Sequence, residues 1–195
     1  MTQPILLRSY LNRIAACNPS RLPQKPRWLF FPGMLFGSRA KWWGDFHLRA
    51  TCHEGLDICW FSSDSGQALG LDPGIQVPAM AAGRIMMICK DFLGQSVLVE
   101  YGQDNGGLSG TDWWTAVVYS HVDVLPGISI GDTIVQDQTI ACLADTSGRQ
   151  SRIPCHLHLS IMEIHTRIPA DQLNWQTFVK TGPDLLKWYN PAHGL

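Results

Sequence analysis

The sequence predicts a mainly-β domain with a helical extension at its N-terminal end. Short runs of β-branched and aromatic residues follow one another from residue 56 onward, and glycine, proline and aspartate separate them. This punctuation is typical of antiparallel strands. A helical period precedes these runs, over residues 5–16. The chain has 195 residues, of which 45% are apolar, so one domain with a full-sized core is expected.

The individual elements follow from the spacing of apolar residues. Segment 5–16 has apolar side chains three and four residues apart, and Asn18-Pro19 ends the helix that this predicts. Residues 18–50 are rich in proline, glycine and aromatic residues and are expected to wrap the domain. A short helix is expected within 170–187. The predicted strands are 56–61, 83–89, 96–101, 115–120, 133–135, 139–143 and 156–164.

Three histidine-bearing segments carry the chemistry of this chain. They are Cys52-His53-Glu54-Gly55-Leu56-Asp57, Tyr119-Ser120-His121 and Cys155-His156-Leu157-His158. On a strand, residues two apart point to the same side, so His156 and His158 should project together. Imidazole and carboxylate groups are zinc ligands, and three protein ligands leave a fourth position for a reactive water. Two histidines and one aspartate can supply such a triad, and two histidines remain for proton transfer.

Each segment alone is a weak signal, because most single histidines are packed or exposed residues without chemistry. Their appearance together, in order and in strand-like contexts, favours a functional site. The other three histidines have no such company and are expected to be structural or exposed. They are His47, His165 and His193.

The pattern H-x-G-x-D, Y-x-H and H-x-H resembles the lysostaphin-type (LytM-like) zinc metallopeptidases. The resemblance extends over roughly residues 36–165. Other matching segments are Phe36-Gly37-Ser38-Arg39, Val77-Pro78-Ala79, Ala82-Gly83-Arg84-Ile85, Gly131-Asp132-Thr133-Ile134, Gln138-Thr139-Ile140, Thr146-Ser147-Gly148 and Trp188-Tyr189-Asn190-Pro191. The resemblance implies the two-sheet antiparallel duplicated-hybrid-motif fold of that family. It also divides the chain into an N-terminal helix and wrapping segment (1–35) and the metallopeptidase domain (36–195).

The resemblance also implies a role for each site residue. His53, Asp57 and His158 would bind one Zn²⁺ per chain, and His121 and His156 would be the catalytic residues beside the open coordination position. The implied activity is peptide-bond hydrolysis by a metal-activated water, in stem peptides or cross-links of peptidoglycan. The sequence departs from the family pattern at Asp137, at Ser160 and over the long approach 149–155. None of these departures removes a ligand.

Two other kinds of protein share features of this sequence. One is a non-catalytic, regulatory or metal-binding module of the same fold, against which the presence of all five site residues argues. The other is a biotinyl- or lipoyl-like carrier domain, which needs a lysine at a hairpin tip. Cys89-Lys90-Asp91 is a poor match to that requirement, and a carrier has no use for H-x-H.

Composition limits the partners. Charged residues make up 16% of the chain and the net charge is −1, so neither nucleic acid nor an anionic membrane is an expected partner. No run of about 18 apolar residues is present, so no membrane span is predicted. The expected partner is a peptide or peptidoglycan substrate, and the sequence selects no oligomeric state.

The cysteines and the start of the chain bear on localisation. The first residues show no secretory signal, and the six cysteines show no C-x-x-C spacing. Both features fit a reducing compartment, whereas the resemblance implies a periplasmic or extracellular location. Cys52 and Cys155, each beside a site histidine, are expected to be buried small residues rather than ligands.

Four of the eight tryptophans lie in two Trp-Trp doublets, which are Trp42-Trp43 and Trp113-Trp114. Both doublets are predicted to lie in loops near the site motifs. They either cover the sheet or wall a substrate groove, because loops carry binding residues and aromatic side chains dominate contacts. The groove interpretation expects at least one doublet to face the metal.

Overall fold

The computed structural model describes residues 6–101, 112–148 and 153–193. These ranges contain helices α1 (Leu7–Cys17) and α2 (Trp175–Lys180) and short 3-10 helices at Pro32–Met34 and Ala170–Gln172. The strands are β1 (Arg27–Leu29), β2 (Leu56–Ile58), β3 (Trp60–Ser62), β4 (Ala68–Gly70), β5 (Gln76–Pro78), β6 (Gly83–Lys90), β7 (Gln95–Tyr101), β8 (Trp113–Val124), β9 (Thr133–Ile134), β10 (Thr139–Leu143), β11 (Leu157–His165) and β12 (Leu186–Tyr189).

The strands form two antiparallel sheets. The large sheet has the order β12-β11-β8-β7-β6-β9, with β2 paired to β11 and with β10 paired to both β8 and β5. The small sheet has the order β1-β3-β4. A mainly-β fold with two sheets, an N-terminal helix and a short C-terminal helix was predicted, and the structure confirms it.

The large sheet is buried on both faces, which explains the apolar runs in its central strands. One face packs Leu157, Leu159 and Tyr119 into the main core. The other face packs Met162 and Val118 into a second core, to which β12 contributes Leu186 and which α2 covers with Phe178. Because side chains alternate along a strand, each central strand contributes to both cores.

Helix α1 docks on β5 through its buried side. The hydroxyl of Tyr10 donates to the carbonyl oxygen of Pro78 at 3.0 Å. The Asn18 side chain joins the helix end to β5, because its amide donates to Ile14 O and Gln76 O and its oxygen accepts from Gln76 N. These contacts hold the N-terminal segment to the sheet. The division of the chain at residue 35 stays a prediction.

Some local predictions were wrong. Trp113-Trp114 opens β8 and does not lie in a loop. Cys52 is exposed rather than buried, whereas Cys155 is buried as expected. The prediction missed the short strands β1, β4 and β5 and the strand β12, because three or four residues carry too little periodicity to identify a strand.

In the described part of the chain, neither helix is long and apolar enough to span a membrane.

Candidate metal and catalytic site

The register of three adjacent strands brings the histidine segments together. His158 on β11 lies directly opposite Asp57 on β2 and opposite Ser120 on β8. Residues directly opposite on paired strands have neighbouring side chains. His158 on β11, and His156 directly before this strand, lie on the side away from the main core, into which Leu157 and Leu159 pack. The expected shared face of the H-x-H pair is therefore confirmed.

His53, Asp57 and His158 form a compact donor group. Asp57 Oδ1 lies 2.8 Å from His158 Nδ1 and 3.2 Å from His53 Nε2, and these two nitrogens are 3.1 Å apart. All three residues are buried. Ligands bound to zinc at about 2.1 Å in a tetrahedron are separated by about 3.4 Å. The three donors therefore fit a zinc ion after a small outward adjustment.

Two side chains hold the other oxygen of Asp57. The indole Nε1 of Trp42 donates to Asp57 Oδ2 at 2.6 Å, and Arg49 Nη2 donates to the same oxygen at 3.3 Å. The guanidinium of Arg49 is itself fixed by the carbonyl oxygens of Gly33 and Ala40. Asp57 Oδ1 is thereby left to face the histidines, which is the support that a metal-binding carboxylate requires.

Both histidines of the donor group are oriented through their second nitrogen. His53 Nδ1 lies 3.2 Å from the carbonyl oxygen of Leu35. His158 Nε2 lies 2.9 Å from Ser160 Oγ and 3.4 Å from Glu54 Oε1. A Cβ atom on Gly55 would lie only 2.7 Å from His158 Nε2, so the glycine of H-x-G-x-D leaves room for the imidazole.

His156 is held by the backbone. Its Nδ1 lies 2.8 Å from the carbonyl oxygen of Pro154, and its ring lies edge-on to Trp42 at 5.2 Å between centroids. Burial lowers the pKa of His156 to about 4, so the ring is neutral at pH 7. A neutral ring that donates from Nδ1 has its lone pair on Nε2. This nitrogen lies 3.7 Å from Asp57 Oδ1, beside the donor group.

His121 occupies a β-bulge. On β7, Gln95 pairs with Val122 and Ser96 pairs with Ser120, so His121 is the additional residue on β8. It has a left-handed backbone, with φ of 65°. A bulge of this kind redirects a side chain that regular alternation would place elsewhere. The His121 ring consequently lies 4.8 Å from that of His156 and 5.7 Å from that of His158, between centroids.

A carboxylate supports His121. Asp91 Oδ1 lies 3.1 Å from His121 Nδ1, and Asp91 Oδ2 accepts the backbone N–H of His121 at 2.9 Å. Burial opposes ionisation, but hydrogen bonds from His121 and Ser96 hold the pKa of the Asp91 carboxyl well below its usual range. Asp91 is therefore a carboxylate that faces the ring.

The donor group is strongly polarised. Burial disfavours the protonated form of His158, but hydrogen bonds to Asp57 and Glu54 raise the pKa of this residue to about 10. Burial likewise opposes ionisation of Asp57, yet hydrogen bonds from His158 and His53 hold its pKa well below the usual range. Against the same burial, the His158 hydrogen bond lowers the pKa of Glu54 to about 2. The two carboxylates therefore favour the positively charged form of His158 in the protein without metal.

The five predicted site residues line one cavity of about 400 Å³. They are His53, Asp57, His121, His156 and His158. Trp43, Phe92 and Trp175 are the aromatic residues of its wall. The first doublet thus lies at the site, whereas Trp113 and Trp114 do not line this cavity. The remaining histidines lie outside it: His47 and His193 are exposed, and buried His165 packs against Trp113.

Sequence reasoning missed Asp91, Trp42 as a partner of Asp57, and Arg49. Asp91-Phe92-Leu93-Gly94 shows an ordinary turn signal between two predicted strands, but nothing in it indicates contact with position 121. Arg49 lies four residues before His53 without a recognisable motif. The polar partners of a site come from distant segments, so local patterns do not reveal them.

The six thiols form no disulfide in the structure. Burial raises the pKa of Cys155 to about 12, and its Sγ donates to Ala144 O. Such a buried thiol is unreactive at neutral pH and is no competing metal ligand. The site chemistry therefore rests on the histidines and carboxylates.

No family model matches the chain, and no curated protein matches its sequence. Solved structures similar to it include lysostaphin (16% identity, TM-score 0.43, covering 70% of this chain and 43% of that one) and the catalytic domain of the prophage-encoded M23 protein EnpA from Enterococcus faecalis (16% identity, TM-score 0.45, covering 87% and 92%). A zinc-containing peptidase from Vibrio cholerae also matches (16% identity, TM-score 0.42, covering 71% and 34%). At 16% identity and TM-scores below 0.5, these matches are likenesses of fold alone, and a fold does not determine a function.

Proposed function

We propose that this protein is a zinc metalloendopeptidase whose substrate is a peptide of the peptidoglycan stem or cross-links. The convergence of five side chains in one cavity supports the metallopeptidase activity, and the resemblance of the sequence motifs supports the choice of substrate. His53, Asp57 and His158 present three donor atoms within 3.2 Å of one another. His121 and His156 stand beside them, each held at Nδ1 by an acceptor.

Each residue has a role that its contacts support. His53 Nε2, Asp57 Oδ1 and His158 Nδ1 would hold one Zn²⁺. A zinc ion bound there would lower the pKa of a bound water to about 7 and polarise the scissile carbonyl group. Trp42 and Arg49 engage Asp57 Oδ2 and so keep Asp57 Oδ1 directed toward His53 and His158.

The two remaining histidines handle protons and orient the substrate. Asp91 and the carbonyl of Pro154 are placed to accept from the two Nδ1–H groups, which leaves the lone pair of each ring on Nε2. One such nitrogen can accept the proton of the attacking water and return it to the leaving amine, which is ordinary general acid–base catalysis by histidine. The second can donate a hydrogen bond to the developing oxyanion once it is protonated.

Metal analysis of the purified chain, followed by digestion of purified peptidoglycan from several wall types, tests the proposal. One zinc per chain and release of peptide fragments are expected. Asp57→Ala and His53→Ala should lose both zinc and activity, whereas His121→Ala should lose most activity and keep its zinc. Equal zinc loss in all three variants would show that His121 is a ligand. A zinc-loaded chain that cleaves no wall type would refute the substrate assignment.

A further inference from the structure

We infer that Asp91 is the positioning residue of His121: its carboxylate fixes the ring with the proton on Nδ1 and the lone pair on Nε2, which faces the cavity. This inference rests on the proposed function for the catalytic use of His121, but the tautomer of the His121 ring does not depend on any activity. Four observations carry it.

The first observation is the geometry of the carboxylate. Asp91 accepts from both the ring and the backbone of His121, at Oδ1 and Oδ2 respectively. Its side chain is only 4% exposed, so both contacts are largely shielded from water. Two contacts from one carboxylate to one residue fix both the position of that residue and the direction of its ring.

The second observation is the bulge. His121 has no partner on β7, so its N–H would lack an acceptor in the ladder. Asp91 Oδ2 supplies that acceptor at 2.9 Å. The left-handed backbone at His121 is uncommon for a residue other than glycine and is costly unless its surroundings fix it. The same carboxylate therefore holds the unusual backbone and the ring that this backbone redirects.

The third observation is the support of the carboxylate itself. Ser96 Oγ lies 2.8 Å from Asp91 Oδ2, and the indole Nε1 of Trp175 donates to Ser96 Oγ at 2.8 Å. Ser120 Oγ lies 2.8 Å from Ser96 Oγ as well. The hydroxyl of Ser96 can thus accept from Trp175 and donate to Asp91. This chain of hydrogen bonds leads from a wall residue of the cavity to His121.

The fourth observation is the contrast with His156. Its Nδ1 partner is a backbone carbonyl, so that ring needs no dedicated side chain. Asp91 also stabilises its own hairpin, because Oδ1 accepts from the backbone N–H groups of Leu93 and Gly94. A purely structural role would end with these turn contacts. The contacts to His121 add a positioning role.

The tautomer of His121 tests the inference directly. In the full chain with ¹⁵N-labelled histidines, imidazole nitrogen spectra at a pH where the ring is neutral should show the His121 proton on Nδ1. The His121→Ala variant assigns the signal. A proton on Nε2 in the unsubstituted protein would overturn the inference, and this measurement does not require any activity.

Substitutions test the consequence for catalysis. Asp91→Asn should shift the tautomer and lower kcat about 10²- to 10⁴-fold, with KM and zinc content unchanged. Ser96→Ala, which leaves the carboxylate in place, should lower kcat about 10-fold. An Asp91→Asn variant that is folded and retains its kcat would overturn the inference.

Asp132→Asn is the matched control. Asp132 Oδ2 accepts from the backbone N–H of Ser129 in a turn, as Asp91 does in its own turn, but Asp132 lies outside the site cavity. Loss of a turn contact alone should cost stability and leave kcat and the His121 spectrum unchanged. If Asp91→Asn fails to fold, the tautomer of the unsubstituted protein and the Ser96→Ala kinetics decide the matter. If the unsubstituted protein proves inactive, the proposed function fails while the spectrum still tests the positioning.

Discussion

Trp42 and Trp113 each begin a Trp-Trp pair, and each lies edge-on to a buried histidine. The ring centroids are 5.2 Å apart for Trp42 and His156, and 5.0 Å apart for Trp113 and His165. The surroundings of the two pairs differ. Trp42 donates to Asp57 at the site, whereas the Trp113 ring lies beneath the ammonium of Lys187 at 3.9 Å.

Their positions along β11 explain the difference. His156 lies directly before the first residue of this strand, and His165 is its last residue, where it pairs with Trp113. Nine residues of extended chain separate the two histidines by about 30 Å. One Trp–His pair therefore lies among the candidate ligands, and the other lies at the opposite end of the sheet. The same residue types form a site at one end and ordinary packing at the other.

Removing the histidine of each pair should separate the two regions most strongly. His156→Ala should lower kcat about 10²- to 10⁴-fold with zinc retained, because proton transfer is lost. His165→Ala should keep kcat and lower only the free energy of unfolding. Parallel kinetics, zinc content and denaturant unfolding check this. Equal loss of activity in both variants would show that the Trp113 region contributes to catalysis.

Changing one tryptophan of each doublet to phenylalanine should give the next largest difference. Trp42→Phe keeps the aromatic ring but removes the N–H that donates to Asp57 Oδ2, so zinc affinity should fall about 10- to 100-fold. Trp114→Phe, in the second core, should leave zinc affinity unchanged. Competition with a chelator measures both. An unchanged affinity in Trp42→Phe would mean that Arg49 alone orients the carboxylate.

Zinc binding by the Trp42 region should also depend on pH. With pKa about 10, His158 carries a proton at neutral pH in the protein without metal, and zinc must displace it. Affinity should therefore rise about tenfold per pH unit between pH 7 and 9. Because this pKa is raised on folding, the metal-free protein should lose the corresponding stability as pH rises from about 6.5 to about 10. A pH-independent affinity in calorimetry would contradict the proton displacement.

The second tryptophan of the first doublet should show the smallest kinetic effect. Trp43 lines the site cavity and an adjoining cavity of about 620 Å³. Trp43→Ala should raise KM or lower kcat/KM by up to about tenfold without displacing zinc, because substrate positioning weakens. Trp113→Ala should instead cost about 1–3 kcal/mol of stability with unaltered kinetics. Destabilisation of Trp43→Ala with unaltered kinetics would show that Trp43 does not position the substrate.

Much of the fold and of the site's composition was predictable, because the relevant patterns are local. The alternation in β11 predicted the shared face of His156 and His158, and the apolar runs predicted β6, β7, β8 and β10. The assignment of Trp113-Trp114 to a loop was wrong because tryptophan is enriched in strands, and the doublet extends the predicted strand 115–120 by two residues at its start. The catalytic and metal-binding roles stay predictions.

The supports of the site were not predictable. Asp91 is 30 residues from His121, and Trp42 is 15 residues from Asp57. Both contacts depend on tertiary register rather than on local spacing. The bulge at His121 is equally invisible, because regular alternation assigns Ser120 and His121 to opposite faces. A resemblance indicated that His121 belongs to the site, but only the bulge shows how it gets there.

The hydrogen-bond acceptors at Nδ1 of His156 and of His121 differ in how a single substitution can remove them. A carbonyl oxygen accompanies every amino acid, so no replacement of Pro154 deletes the partner of His156 outright. The partner of His121 is a single carboxylate, and one codon change at Asp91 removes it while all five histidine and aspartate site residues remain. Lineages that retain this fold but abandon its chemistry should therefore diverge at position 91 more often than at position 154. A homologue with an intact H-x-G-x-D and H-x-H but a neutral residue at this hairpin tip would keep all five site residues and lack the carboxylate that positions the histidine at 121.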